Sequence, residues 1–438
     1  MKSKKVKKRR LKKAKLLSFV FCAYSIVFVI FCLCFYGLRL IKYYKIYNPK
    51  SENGEKIELL SSHITQNTSI VYDGDGLYKD GGNYLFKGEK VDNYITYSGL
   101  LWRIIKINND GTLDIILNDH INDLMWNDKI TTYTNSDIHK YLNDKFLSIL
   151  NKDILVKTTI CTDTIKDIKS ITCEKMNKED YVKLINITDF LNSKADKSFI
   201  NDKDSIWTSD ASKEKVWYIG KEGIAENVPN ETYRIKPVVT LKSALTLISG
   251  DGTKEKPYQI EKDSKKIRVG SYVKLGDDTW IVYEKNKENM KLILSSLYKN
   301  EKITFDSYSN KFNPDKKNSF ANYLNTTYLN SLTYKDVLLD ATWNIGSYTN
   351  SYKDVEDETV TAKVGTYNVA DLKFENDLDN YFIMTPKTSG IVYIYGAKLS
   401  YYKVGRNAAI RPAISIKNYK IQSGEGTKNS PYELEGLK

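Results

Sequence analysis

The side chains that most often carry enzyme chemistry are sparse in this chain. Its 438 residues include three histidines, His63, His120 and His139, and none has an Asp or Cys at a spacing that favours a Cys-His or Ser-His-Asp site. The sequence patterns of nucleophile elbows, zinc peptidases and phosphate-binding loops are also missing. We therefore predict satisfied surface histidines, with His63 in a stalk and His139 on the exposed side of a helix.

Three glycine-rich turns carry acidic residues that could ligate a cation. Asp73-Gly74-Asp75-Gly76 starts like a calcium loop, but the later ligand positions hold Leu77 and Tyr84, where an EF-hand needs an oxygen ligand and a Glu. Gly250-Asp251-Gly252-Thr253 and its counterpart at residues 424–427 could bind a cation or form a tight turn that ends a domain. The tight turn is the simpler explanation, and we predict neither a metal nor a cofactor.

The candidates for binding are basic and aromatic side chains. Lys236 and Arg411 each precede a proline in an otherwise apolar strand. A cation at this position could hold a ligand carboxylate or an internal acid. Because a basic residue occupies the position in both copies, an internal salt bridge is favoured. Exposed aromatic rings suit sugars or protein partners, but alternation at residues 391–395 equally suits a strand with one buried face. Core packing and a binding shelf both remain open for the aromatic candidates, Trp207, Trp217, Tyr393 and Tyr395.

The first fifty residues indicate where these candidates are displayed. They contain 14 Lys and Arg, no Asp or Glu, and an uncharged run from Leu16 to Leu38. As a helix this run is about 34 Å long, enough to cross a bilayer core. The basic cluster favours a cytoplasmic N-terminus, and the run is too long for a cleaved signal peptide. We predict a basic cytoplasmic tail (1–15), a single transmembrane anchor (16–38) and a juxtamembrane stalk (39–66), with the bulk of the chain extracellular.

The net charge of the chain follows from this leader. The formal charge is +13, yet without the 14 basic residues of the leader the chain has 53 Lys and Arg against 54 Asp and Glu. Residues 51–438 therefore sum to about −1. Nucleic acid is not an expected partner, because its binding needs a basic surface on the folded part. The membrane is the predicted partner of the leader.

The five cysteines divide into two groups. Cys22, Cys32 and Cys34 lie in the apolar run, where they serve as small apolar residues. Cys161 and Cys173 lie in the exported part and close a short loop. An even pair outside the cytoplasm favours a disulfide, worth roughly 3 kcal/mol in the loop-entropy model. A metal or redox pair is disfavoured because no His or CxxC spacing is nearby.

The exported part is internally repeated. Each copy has two β-rich runs, then a helix with apolar residues at helical spacing, and then a strand that starts at a basic residue and proline. A turn with two glycines and a threonine, followed by Pro-Tyr, closes both copies at an offset of 174 residues. We predict Ser136 and Ser319, or the Asn before each, as the helix N-caps. The predicted domains are repeat 1 (67–262) and repeat 2 (267–438).

Four motifs occur in order in the first copy. They are Leu101-Trp102-Arg103-Ile104-Ile105 with Asp110-Gly111, Ile206-Trp207-Thr208-Ser209, Lys236-Pro237-Val238, and the ending from Gly250 to Tyr258. This order resembles a domain of unknown function on exported proteins of Gram-positive bacteria. The resemblance covers roughly residues 70–435 and implies a location at the cell surface more than an activity. The second copy departs from it, with Ile383-Met384-Thr385-Pro386 in place of the Trp element and no cysteine pair.

Strands with one clear helix per copy predict an α+β domain. By analogy, the trailing aromatic strands are similar to C-type-lectin-like and sulfatase-modifying-factor folds, and fold does not fix function. We therefore expect one N-terminal transmembrane helix followed by two tandem α+β domains that bind an envelope glycan, a wall polymer or a protein partner. A structural or assembly subunit of an envelope complex, and an envelope-acting enzyme or enzyme accessory, remain alternatives.

The predicted disulfide can be tested by alkylation of the denatured, unreduced chain followed by peptide mass spectrometry. Cys161 and Cys173 should take up reagent only after reduction, because a disulfide sulfur is not a nucleophile. Cys22, Cys32 and Cys34 should be labelled without reduction and serve as the internal control. Labelling of Cys161 and Cys173 before reduction would contradict the prediction.

Overall fold

The structure, a computed structural model, describes residues 58–161, 176–201, 204–261, 266–299, 301–348, 356–374, 378–396, 399–424 and 426–437. Strands account for 40% of this part of the chain and helices for 14%, so the predicted α+β class is wrong and the described residues form a mainly β protein. The prediction gave too much weight to one helix per copy. That helix is short, and many of the strands are too short to show a periodic pattern in the sequence.

The predicted tail (1–15), anchor (16–38) and the stalk up to residue 57 lie outside the described residues. In the described ranges, no helix is both long and apolar enough to span a bilayer. Residues 58–66, assigned to the stalk from the sequence, instead belong to the folded part of the chain. Leu60 and Ile64 are fully buried, and the Leu60 N–H donates to the Leu245 carbonyl at 2.9 Å.

Helical segments are short throughout the described residues. The α-helices are α1 Leu60–Asn67, α2 Asp137–Tyr141, α3 Ile187–Asn192, α4 Phe320–Tyr323 and α5 Leu329–Ser331. The π-helical turns Leu142–Phe146 and Leu324–Tyr328 continue α2 and α4, and single 3-10 turns are Tyr133–Asn135, Leu147–Ile149, Lys152–Ile154 and Lys335–Val337. Ser136 and Ser319 are confirmed as N-caps, because their hydroxyls accept the N–H groups of His139 and Asn322.

The strands fall into two halves, residues 58–261 and 266–437. The first half contains β1 Gly76–Asp80, β2 Asn83–Lys87, β3 Tyr94–Tyr97, β4 Leu100–Ile107, β5 Leu113–Leu117, β6 Asp123–Met125, β7 Leu155–Val156, β8 Thr158–Cys161, β9 Met176–Asp180, β10 Val182–Leu184, β11 Ile206–Ala211, β12 Val216–Gly220, β13 Gly223–Asn227, β14 Thr232–Arg234, β15 Pro237–Leu241, β16 Leu247–Ser249 and β17 Gln259–Ile260. The second half contains β18 Tyr272–Leu275, β19 Asp278–Lys285, β20 Asn289–Leu294, β21 Lys302–Thr304, β22 Ala341–Asn344, β23 Thr359–Ala362, β24 Val364–Gly365, β25 Tyr381–Thr388, β26 Ile391–Tyr395, β27 Ser400–Lys403, β28 Asn407–Ala409, β29 Ala413–Lys417, β30 Ile421–Ser423 and β31 Glu433–Leu434.

The two halves share a strand order, to which the main sheet of the first half adds β1, β2 and β7, so that its β3-β4-β5-β15-β10 part matches the main sheet of the second half. The main sheet of the first half runs β1-β2-β4-β5-β15-β10, with β3 on β4 and β7 on β15, and the second half has β18-β19-β20-β29-β24. The second sheet runs β13-β12-β11-β14-β6 in the first half and β27-β26-β25-β28-β21 in the other. Among the described residues, strands of these sheets pair antiparallel except where β11 meets β14 and β25 meets β28. Because both halves have a parallel pair at the same place in the second sheet, the match between their strands is specific.

The core of each half lies against the central strands of its main sheet. All five residues of β5 are buried, and β4 is buried at six of its eight positions, so these strands are covered on both faces. Trp102 in β4 and Trp280 in β19 are fully buried at matching positions. The Trp102 indole N–H donates to the Tyr97 carbonyl at 2.9 Å, which satisfies the polar atom of this large apolar side chain.

One asparagine attaches the helical segment to the main sheet in each half. In the first half the Asn143 side chain donates to the Val182 carbonyl at 3.0 Å and accepts the Val182 N–H at 3.3 Å. In the second half Asn325 makes the same two bonds to Val364, at 2.8 and 3.0 Å. Because Val182 and Val364 lie in β10 and β24, the outer strands of the matching order, the helix is held at the same edge in both halves.

The glycine-rich ending closes each half as a structural clamp. Gly252 and Gly426 have φ values of +84° and +71°, and a side chain on either would collide with the ring of Tyr258 or Tyr432. Their carbonyls accept the first N–H of β3 and of β18, at 2.8 and 2.9 Å. The Asp251 carboxylate accepts hydrogen bonds from within its own turn. The predicted tight turn is confirmed, and in the described residues no group of three metal-ligating side chains is found.

The strand register corrects one sequence alignment. Ile206 pairs with Arg234 in the first half, and Tyr381 pairs with Ala409 at the matching parallel bridge. Trp207 therefore corresponds to Phe382, which is fully buried, and not to a residue in the run that begins at Ile383. The second half keeps an aromatic core residue where the sequence comparison indicated its loss.

The asparagine contacts predict matched effects on stability in the two halves. Asn143→Ala and Asn325→Ala should each lower the free energy of unfolding by about 1–3 kcal/mol, because a buried backbone N–H and carbonyl lose their partners. Urea unfolding of residues 58–438 would measure this. The control is Asn192→Ala, at an exposed position of α3, which should change stability little. Equal effects of all three substitutions would contradict the assignment.

Candidate ligand-binding cleft between the two halves

A cleft with a volume of about 390 Å³ lies between the two halves. Lys145, Ser148 and Ile149, from the helical segment after α2, form the wall from the first half. The second half contributes the segment before β18, the end of β19 with its turn, and one residue of a later loop: Ile267, Arg268, Val269, Tyr283, Glu284, Lys285, Asn286 and Leu372. The site is therefore built only when both halves are in place.

Local structure positions the charged side chains of this cleft. Lys145 lies in the π-helical turn, an element that is frequent at functional sites. On the opposite wall, the Asn286 side chain accepts the N–H groups of Glu288 and Asn289 and so tightens the turn that follows Lys285. The Glu284 carboxylate pairs with Lys291 of the neighbouring strand at 3.2 Å.

The floor of the cleft is a buried loop that contacts both halves. Leu372 lines the cleft, and the residues on each side of it bind the first half through Asn122. The Asn122 amide donates to the Asp371 carbonyl at 2.9 Å, and its oxygen accepts the Lys373 N–H at 3.4 Å. Tyr141 also donates to this oxygen, at 2.7 Å. One buried amide thus connects a helix of the first half to the floor.

The Lys373 ammonium is fully enclosed beneath this floor. It donates to the carbonyls of Val369 and Asp371 at 2.6 and 3.0 Å, and it lies 5.2 Å from the ring centroid of Tyr395. Burial lowers the pKa of Lys373 to about 7, against the opposing effect of Asp371. Burial also raises the pKa of the Asp371 carboxyl.

A second polar contact joins the halves next to Lys373. The Tyr395 hydroxyl of the second half accepts the Asp123 N–H at 3.0 Å and lies 3.4 Å from the Asp123 carboxyl. On the other side of Asp123 is Arg234, with its Nε atom 3.9 Å from the carboxyl and a further ion pair to Asp204. Burial raises the pKa of Asp123 to about 7, although Arg234 and Tyr395 oppose the change.

No known protein family, curated protein or solved structure matches this chain. The resemblance to a Gram-positive surface domain therefore stays a prediction from its motifs. The expected C-type-lectin-like class is replaced by the mainly β arrangement described above.

Most of the aromatic candidates lie in the core. Trp207 is fully buried, its indole donates to the Leu124 carbonyl at 3.0 Å, and Tyr395 belongs to the contact between the halves. Tyr393 is 8% exposed and packs edge-on against Tyr348. Of the four, Trp217 alone is half-buried. Trp207, Tyr393 and Tyr395 therefore cannot form an exposed shelf for a sugar.

The two basic candidates occupy buried positions before their strands. Arg411 is fully buried and donates to the carbonyls of Leu294 and Phe374 and to the Tyr381 hydroxyl, at 2.8 to 3.2 Å. Its guanidinium holds three separate segments of the second half together. Lys236 is also buried. Neither residue lines the cleft.

Two predicted surface histidines are in fact buried. His139 is 5% exposed, and its Nε2 atom lies 2.8 Å from the Asp180 carboxylate. His120 is also buried, 3.0 Å from a guanidinium nitrogen of Arg234. His63 lies on α1 beside Glu58. Cys173 and the side chain of Cys161 lie outside the described residues, so the predicted disulfide stays a prediction.

A third buried carboxyl, Asp210, illustrates why such groups escape sequence analysis. It accepts the Ile187 N–H at the start of α3, and burial raises its pKa to about 7. At the corresponding place of the second half the Thr385 hydroxyl accepts the Val369 N–H. The carboxyl and the hydroxyl hold the chain in the same way, which supports a structural role for Asp210. Lys145, Lys373 and Asp123 likewise belong to no motif, since the fold alone brings them together.

The raised pKa of Asp123 predicts a pH-dependent stability. Between about pH 4 and pH 7 the carboxyl is protonated in the folded state but ionised in the unfolded state, so stability should fall as pH rises through this window. The effect amounts to about 1.4 kcal/mol for each unit by which the two pKa values differ. Asp123→Asn should reduce this slope.

Urea unfolding of residues 58–438 at several pH values would measure the slope. Asp210→Asn is the matched control, because it removes a buried carboxyl of the same pKa at a site away from the contact between the halves. It should reduce the slope similarly but leave the Asp123–Tyr395 contact intact. An unchanged slope in Asp123→Asn would refute the assignment.

Proposed function

We propose that this protein is a single-pass, membrane-anchored cell-surface protein that binds an envelope glycan, wall polymer or partner protein in the cleft between its two halves. The cleft itself is the observation that carries the proposal. Its volume lies within the range of about 300–1,000 Å³ that is typical of ligand sites, and such sites often form where two domains meet.

The buried hydrogen bonds beneath the cleft support this assignment. Its floor is bound to the first half through Asn122, and the adjacent Asp123–Tyr395 contact is buried from solvent. A ligand that enters does not have to order these elements, so less conformational entropy is lost on binding. Because the aromatic candidates Trp207, Tyr393 and Tyr395 are buried, the cleft is a better candidate for the binding site than a shelf of exposed rings.

The proposed location rests on the sequence. Ten basic residues precede the uncharged run at 16–38, and the remaining chain is nearly neutral. A basic cytoplasmic flank and one apolar run favour an anchor with the folded part outside. The resemblance to surface domains of Gram-positive bacteria points to the cell wall as the source of the ligand.

A bulky residue in the cleft should block binding. Ser148 lies at its rim, and Ser148→Trp places an indole in the cavity. Binding of the chain to Gram-positive cell-wall fragments, measured by co-sedimentation, should fall by about tenfold or more, a loss of roughly 1.4 kcal/mol. The matched control is Asn330→Trp, at the exposed, corresponding helical position of the second half. Failure of the unchanged chain to bind wall fragments would reject a wall ligand, and equal binding by both variants would reject the cleft as the binding site.

A further inference from the structure

The described residues that line the cleft carry more positive than negative charge, whereas residues 51–438 as a whole are nearly neutral. Among the residues that the structure describes, Lys145, Arg268 and Lys285 line the cleft together with one carboxylate, that of Glu284. Lys291, which does not line the cleft, pairs with this carboxylate at 3.2 Å. The Glu284 carboxylate is therefore engaged from outside the cleft, while Lys145 and Lys285 line the cavity.

Lys145 is the most informative of these cations. Its side chain is half-buried, and within the described part of the chain its ammonium has neither an ion-pair nor a hydrogen-bond partner. Burial lowers its pKa despite the charges of Asp371 and Glu284. The desolvation penalty of this ammonium thus exceeds the stabilisation that the neighbouring carboxyls provide, so pairing with a bound anion would be favourable.

Lys285 places a second positive charge across the cleft. It lies at the end of β19 on the wall contributed by the second half, and its side chain is exposed. Leu372, Val269 and Ile149 supply apolar surface between the two walls. The combination of cations on opposite walls with apolar surface suits a chain of carbon units that carries repeated negative groups.

We propose that the cleft binds an anionic polymer, whose phosphate or carboxylate groups pair with Lys145 and Lys285. This proposal rests on the proposed function and specifies the class of its ligand. Two cations on different halves would engage successive negative groups of one chain. The polymer would therefore also bridge the halves at the site where they already meet.

The test uses the full chain in nanodiscs of zwitterionic lipid, with poly(glycerol phosphate), polygalacturonate and neutral dextran as probes. At least one polyanion should bind and dextran should not. Which polyanion binds identifies the negative group. Affinity should fall as salt rises, because ions screen these charges. Lys145→Gln/Lys285→Gln should weaken polyanion binding about tenfold, and Lys145→Arg/Lys285→Arg should retain it.

The matched control is Lys213→Gln/Lys254→Gln, which removes two exposed cations outside the cleft and leaves the basic leader unchanged. It should retain polyanion affinity, and thermal unfolding should confirm that both double variants are folded. Equal losses in both double variants, binding of dextran, or unchanged affinity in the cleft variant would overturn the proposal. If one of these results is obtained but Ser148→Trp still blocks binding to wall fragments, the proposed function stands and only the anionic class of its ligand is rejected.

Discussion

The contact on which the cleft depends is the burial of polar groups where the two halves meet. Asn122 and Asp123 offer a side-chain amide, a carboxyl and a backbone N–H, and the second half offers the Asp371 carbonyl, the Lys373 N–H and the Tyr395 hydroxyl. Each of these groups would lose its partner if the halves shifted, and an unpaired buried polar group costs about 1–3 kcal/mol. The arrangement therefore fixes the relative orientation of the two halves more strictly than apolar packing would, and it thereby sets the positions of the cleft walls.

The two halves share a framework but differ in the groups attached to it. The strand order, the asparagine that binds the outer strand and the clamp at each ending are the same in both. The His139–Asp180 pair of the first half has no equivalent in Ala321 and Ala362, the residues at the corresponding positions. The framework positions are those whose loss would leave backbone groups unpaired. Positions without that constraint could change, and the halves could become different walls of one cleft.

The sequence revealed features that depend on local or repeated patterns. The N-caps at Ser136 and Ser319 and the closing turns follow from short-range hydrogen bonding, which residue types encode directly. The mainly β class was missed because strands such as β6 and β14 have three residues and pair only through the tertiary fold. The cleft was missed for the same reason. Lys145 is separated from Lys285 by more than a hundred residues, and nothing in the composition around either marks it.

The charge of the cleft and the net charge of the chain are separate properties of this protein. The formal +13 belongs to the leader, and its removal leaves a folded part with no preference for either sign on average. A net charge near zero still permits a cationic cleft, because the Debye length in physiological salt is about 8 Å and more distant charges contribute little to the potential there. In the cleft, the charge balance depends on the Glu284 carboxylate, which pairs with Lys291 on the neighbouring strand. Had Glu284 paired with Lys145 across the cleft, the same residues would have formed a neutral bridge and left little reason for an anion to enter.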